Sequence, residues 1–140
     1  MKKYNLPEEI TPLVEEPAMP YLVSYSQRGI PFQLFENQSN KIPFNQNEWS
    51  NLLHLSERTF QRYKKENKKF ESIYAEKILE VLLLFKRGKE VLGSNQAFYD
   101  WLHVSNIALG DVEPISIIDN TFGIKMVQDV LGRIEHGIFS

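Results

Sequence analysis

Residues 73–85, IYAEKILEVLLLF, constrain the fold of this chain more than any other segment. On a helix Ile78, Leu82 and Phe85 form one apolar stripe and Leu79 and Leu83 a second, with Val81 and Leu84 between them. A helix lying on a core needs one such stripe. The surplus predicts a second apolar partner, and the expectation is a homodimer sharing the Leu79/Leu83 side. Lys86 and Arg87 suit a last turn and Gly88 a position beyond it, so the helix is expected to end there.

The rest of the chain carries helix signals of its own. Pro7, Pro12, Pro17 and Pro20, interspersed with glutamates, prevent a helix from propagating through residues 1–20, which are expected to form a mobile or loosely docked arm. Tyr21 to Arg28 reads as a short helix ended by Gly29, and Pro31 opens another turn through Phe35. Asn45 to Glu48 has capping-box spacing and predicts a helix over 46–53. Ser56 caps the next, to about Lys65, leaving three residues between the two. Ser94 caps a helix with Ala97, Phe98, Trp101 and Leu102 on one side. Pro114 starts a short helix bearing Ile115, Ile117 and Ile118. Thr121 is expected to cap a last helix that carries Ile124, Val127, Leu131 and Ile134 and closes at Gly137. No segment alternates as a strand would. The prediction is an all-α chain with a unit over 21–92 and a smaller one over 93–140.

Several classes of chemistry lack their residues. The chain has no cysteine, which removes disulfides, thiolate metal sites and a thiol nucleophile and fits a reducing cytoplasm. His54, His103 and His136 are scattered, with no metal-ligand spacing, glycine-rich phosphate loop or serine elbow near them. No stretch approaches a membrane span and no apolar region follows Lys2 and Lys3. The expectation is a cytoplasmic, non-enzymatic protein without a cofactor.

Residues 46–65 match the spacing of a helix-turn-helix. Trp49, Leu53, Leu55, Phe60 and Tyr63 stand where two helices joined by a three-residue turn must bury side chains, and small Ser50 stands where they cross. His54 occupies the turn, where a left-handed residue is needed and histidine is better tolerated than most. With Phe60 and Tyr63 inward, Arg58, Gln61, Arg62 and Lys65 face outward. Arginine and glutamine read guanine and adenine edges, and lysines suit phosphates. The candidate DNA contacts are Ser56, Arg58, Thr59, Gln61, Arg62, Lys64 and Lys65. An ordinary solvated basic face is the competing explanation.

Charge is segregated although the net value is only −2. Arg58, Arg62, Lys64, Lys65, Lys68 and Lys69 outweigh Glu66, whereas from residue 98 onward Asp100, Asp111, Glu113, Asp119, Asp129 and Glu135 outweigh Lys125 and Arg133. Two surfaces and two partners are implied.

The C-terminal third has an ordered set of marks. A Trp101-Leu102 helix is followed by Asn106-x-Ala108-Leu109-Gly110, by Pro114, and by a Gly123-x-x-x-Val127 helix that ends in Leu131-Gly132-Arg133-Ile134-x-x-Gly137. Behind a helix-turn-helix, with Gly93 and Ala97 ahead of it, this order resembles the toxin-binding domain of the Xre/MbcA/ParS antitoxin family, over roughly Gly29 to Ser140. Glu113 departs from a good cap before Pro114, and Gly88 weakens a long connecting helix and permits a bend.

That resemblance implies the antitoxin of a type II toxin-antitoxin pair. Its partner would be a RES-domain toxin that consumes NAD or transfers its ADP-ribose, neutralised by covering the active-site entrance, while the N-terminal domain represses the operon, usually as a dimer. The toxin contacts so implied are Trp101, Asn106, Arg133, His136, Gly137, Ile138, Phe139 and Ser140. The last three are expected to leave the closing helix as a tail, with folding back on the core as the competing outcome. One rival is a stand-alone helix-turn-helix transcription regulator whose C-terminal domain dimerises or senses a ligand. The other is an interaction adaptor that has lost DNA binding, suggested by the net charge and by Glu48, Glu57 and Glu66.

Overall fold

A computed structural model describes residues 19–137, so the tail Ile138–Ser140 and nearly all of the arm expected over 1–20 fall outside the described residues. The elements are α1 (Met19–Arg28), α2 (Phe32–Ser39), α3 (Gln46–Leu53), α4 (Glu57–Glu66), α5 (Ser72–Leu92), α6 (Asn95–Leu102) and α7 (Thr121–Glu135). Two 3-10 turns, Ile107–Leu109 and Pro114–Ser116, lie between α6 and α7. Among the described residues there is no strand, only the isolated bridges Ile30 to Phe70 and Asn106 to Val112. The all-α prediction holds.

The two apolar stripes of α5 are explained by its place at the centre. It packs against α1, α2, α3, α6 and α7, so the chain's own helices surround it. Ala75, Ile78, Val81, Leu84 and Phe85 are fully buried. Leu79, expected on a shared dimer surface, is only 5% exposed, and of that pair Leu83, at 38%, alone reaches solvent. The surplus of apolar residues is consumed within one chain.

Gly88 does not end α5. The helix continues to Leu92 and stops at Gly93, whose φ of 103° only glycine adopts readily and whose N–H donates to the Lys89 carbonyl at 2.8 Å. Gly88 instead provides space: a β-carbon there would overlap the Phe98 ring. Glycine in mid-helix costs about 1 kcal/mol. Fully burying a phenylalanine contributes roughly 1.5–3 kcal/mol, and edge-on packing against Phe85 at 4.8 Å adds to that. The glycine is therefore a net gain.

An aromatic cluster ties α2 to the hairpin of α3 and α4. Phe35 meets Trp49 at 4.9 Å and Phe70 at 5.2 Å, and Phe32 meets Phe60 at 5.6 Å. These rings carry α2 to Ser39, beyond the Phe35 end expected. Phe70 is fixed by exchanging backbone hydrogen bonds with Ile30 at 2.8 and 3.0 Å.

At α7 the cap is Asn120, not Thr121. The Asn120 Oδ1 accepts from the Phe122 and Gly123 amides at 2.8 and 3.4 Å, while the Thr121 hydroxyl donates to Glu80. Gly123 allows the preceding chain to pass close, since a β-carbon would run into the Ile117 carbonyl.

Candidate functional site

The helix-turn-helix forms as its spacing requires. Asn45 Oδ1 accepts from the Glu48 amide at 2.8 Å, and Glu48 Oε1 accepts from the Asn45 amide at 3.0 Å, completing the capping box. His54 takes the left-handed conformation at φ 57° and ψ 36°. This reverses the chain, and the Leu55 amide then donates to the Ser50 carbonyl at 2.9 Å. Ser56 Oγ accepts from the Thr59 amide at 3.0 Å and starts α4. Trp49, Leu53, Phe60 and Tyr63 are buried, and Leu55 is half-buried against the core. Ser50 is wholly buried, its hydroxyl donating to the Gln46 and Asn47 carbonyls.

The outward face of α4 presents Arg58, Gln61, Arg62 and Lys65, all exposed and without a salt bridge or side-chain hydrogen bond among the described residues. The other proposed contacts have local duties. The Ser56 and Thr59 hydroxyls bond each other at 2.9 Å, and Lys64 lies 3.9 Å from Glu36. Lys68 stands over the Tyr63 ring at 4.7 Å and pairs with Glu71 at 3.7 Å. Tyr63 donates its hydroxyl to the same carboxylate at 2.9 Å. Burial, then Glu71, pushes its pKa up to about 12, so it remains a donor at any physiological pH. Lysine and carboxylate thus fix the inner side of α4 while its outer cations stay available.

The residues assigned to the second surface are dispersed. Trp101 is half-buried, stacked on Phe98 at 5.8 Å. Asn106 caps a 3-10 turn, its Oδ1 accepting from the Ala108 amide at 2.9 Å. Arg133 and His136 are exposed at the end of α7, where Gly137 takes φ 71°. Among the described residues no hydrogen bond, ion pair or ring contact joins Trp101, Asn106, Arg133 and His136 to one another.

The structure adds a link between the two halves. His103 Nε2 lies 2.8 Å from Glu48 Oε2, its Nδ1 lies 2.7 Å from the Tyr99 carbonyl, and the Tyr99 hydroxyl donates to Glu48 at 3.1 Å. Both partners of the ring are acceptors, an arrangement that favours the doubly protonated ring. Burial presses the His103 pKa down, but the Tyr99 carbonyl, the Glu48 carboxylate and the charge of Glu113 outweigh it, and the net shift is upward. Glu48 therefore caps α3 and anchors α6 together. At the other end of α3, His54 Nε2 lies 3.4 Å from Asp119. Nothing in the sequence pairs Glu48 with His103, because no local periodicity spans 55 positions. The capping box and the aromatic-rich α6 were the only nearby signals.

Among the described residues no group of three or more histidines and carboxylates is placed to hold a metal, and no helix is long and apolar enough to cross a membrane. Compared with known proteins, residues 22–83 match the antitoxin Xre-like helix-turn-helix domain and residues 87–137 the antitoxin Xre/MbcA/ParS C-terminal toxin-binding domain. Over 122 residues, 86% of the chain, it is 24% identical to a protein of Photorhabdus laumondii subsp. laumondii named antitoxin Xre, spanning 82% of that protein.

Proposed function

Because this chain belongs to the Xre/MbcA/ParS antitoxin family, with the helix-turn-helix and the toxin-binding domain in one polypeptide, we propose that it neutralises a RES-domain toxin by covering its active-site entrance and represses its own operon. The action is stoichiometric binding and needs no cofactor. One observation carries the reading: an outward cationic face on α4 and an acidic C-terminal unit stand on the same chain, each in a domain matched to one of the two tasks.

On the DNA side Arg58, Gln61 and Arg62 read base edges, and Lys64 and Lys65 hold phosphates, with Ser56 and Thr59 adding contacts from the start of α4. On the toxin side the acidic unit meets a pocket built for an anionic dinucleotide, which must itself be basic. Trp101, Asn106, Arg133, His136 and the segment Gly137–Ser140 belong to this surface. A homodimer enters the reading through the family resemblance alone, since of the expected Leu79/Leu83 seam only Leu83 reaches solvent.

The test is co-expression with the toxin encoded beside it. The chain should restore growth, co-purify with that toxin and shift a fragment of its own promoter, with affinity falling steeply as salt rises. A promoter shift with no toxin complex would instead identify a stand-alone regulator. Light scattering across a wide concentration range checks the dimer.

A further inference from the structure

Eight large apolar side chains are well exposed among the described residues, and five of them, Val104, Ile107, Val112, Phe122 and Met126, fall between residues 104 and 126. Ile107, at 86%, is the most exposed of all, and with Val104 and Val112 it crowns one turn. Single exposed apolar residues are common and need no explanation. A clustered set in one domain does.

This turn is held firmly for so short a segment. The Asn106 amide donates to the Val112 carbonyl at 3.0 Å, and the Asp111 amide returns to the Asn106 carbonyl at 2.9 Å. The Asn106 side chain caps the 3-10 turn, and Gly110 and Asp111 both take positive φ, 84° and 62°. Aspartate is among the few residues that tolerate that conformation, and the bonds between Asn106 and residues 111–112 hold it there. The result drives Leu109 into the core beside α7 and leaves Ile107 pointing away from it. A projection already fixed in this way loses little freedom on binding.

The surroundings specify the partner's chemistry. From Glu90 to Ile124 there is no lysine or arginine, while Glu90, Asp100, Asp111, Glu113 and Asp119 are acidic. His103 lies 2.8 Å from Glu48, and the charge of Glu113 acts on it as well. Asp111 and Glu113 flank Val112, are exposed and make no salt bridge among the described residues.

We propose that the turn 104–112 is the anchor of the toxin-binding domain: Ile107 enters an apolar socket on the toxin, Val104 and Val112 seal its edge, and Asp111 and Glu113 meet lysines or arginines at the rim. An apolar centre within a charged rim is how protein interfaces concentrate affinity. The inference rests on the reading that this chain neutralises the toxin encoded beside it.

The test measures the Kd of the full chain for that toxin, in a catalytically silenced form. Ile107→Arg and Ile107→Ser should each weaken binding about 100-fold, with Ile107→Val changing it less than about fivefold. Replacing Asp111 and Glu113 together by lysine should slow association about tenfold, a deficit that shrinks at high salt. Phe122→Arg, on α7, should stay within about threefold. Melting temperature and promoter binding of the Ile107 variants should match wild type, since the side chain touches little of its own fold. If both Ile107 variants bind like wild type, the anchor is overturned while the antitoxin reading stands. If Phe122→Arg is the variant that abolishes binding, the anchor lies on α7 instead. Failure of the wild-type chain to bind the toxin would overturn both readings.

Discussion

Residues 57–69 and residues 104–126 make opposite kinds of surface from similarly short stretches of chain. On α4 the outward face carries Arg58, Arg62, Lys64 and Lys65 against the acids Glu57 and Glu66 at its two ends, and the apolar side chains are turned inward. In the later segment basic residues are nearly absent and apolar side chains reach solvent. The first suits a partner met through long-range, salt-screened attraction, the second one met through close contact after water is expelled. On the proposed reading, this contrast lets one chain of near-neutral charge keep two partners of different character on separate surfaces.

The comparison breaks most readily at α4. Replacing Arg58 and Arg62 by alanine should abolish promoter binding in a mobility-shift assay and, where residual binding is measurable, lower the slope of log affinity against log salt by about 2. Toxin neutralisation and melting temperature should not change. A double variant that unfolds would make these arginines structural and dissolve the contrast.

Gly88 tests whether the surfaces share one scaffold. Gly88→Ala forces the Phe98 ring to move, and a loss of about 1–3 kcal/mol is expected in denaturant melts. Both binding functions should weaken together, because α5 and α6 underlie both. An unchanged midpoint would show that the ring repacks freely.

His103 gives a smaller, pH-dependent effect. Its pKa is raised in the folded chain, so the stabilisation is fully present below the ordinary histidine value of 6.5 and is lost as pH rises through the folded value. His103→Gln should therefore melt lower than wild type at mildly acid pH, with the gap closing on the alkaline side. A gap that widens with pH would mean that the ring is neutral in the fold.

Least of all is expected from Arg87 and Glu135, a two-bonded pair at 2.6 and 2.8 Å. Arg87 is half-buried and Glu135 exposed, so solvent screens the pair and its contribution stays small despite the two-bonded geometry. Arg87→Gln should lower the melting temperature slightly at low salt and not at all at high salt.

What could be read from residues alone divides by range. The bounds of α3, the three-residue turn, the left-handed His54 and the caps Ser56 and Ser94 follow from neighbours within four positions, and each appears in the structure as expected. Gly88 carries the same local signal as a helix end, yet its role is set by Phe98, ten residues away in the next helix. Thr121 is expected as a cap from its residue type, but Asn120 takes that place one position earlier, where Gly123 lies against the Ile117 carbonyl. Leu79 looks surplus until the helices that pack on α5 are in place and leave it 5% exposed. The pair of Glu48 and His103 has no local signal at all. At the candidate sites the outward face of α4 was legible because Phe60 and Tyr63 define its opposite. Ile107 was not, because exposure of an apolar residue in a turn leaves no periodic trace.

The boundary between the two matched domains lies inside α5, an unbroken helix from Ser72 to Leu92, with the first match ending at residue 83 and the second beginning at 87. A cut there would strip the helix-turn-helix half of Leu84 and Phe85, both wholly buried, and would take the partner of Glu48 from the cap of α3. Severing the chain at this seam therefore leaves each half with apolar surface that the intact helix buries. On the proposed reading, the DNA face and the toxin face change by substitution on one shared frame, and neither half is separable from the other at α5.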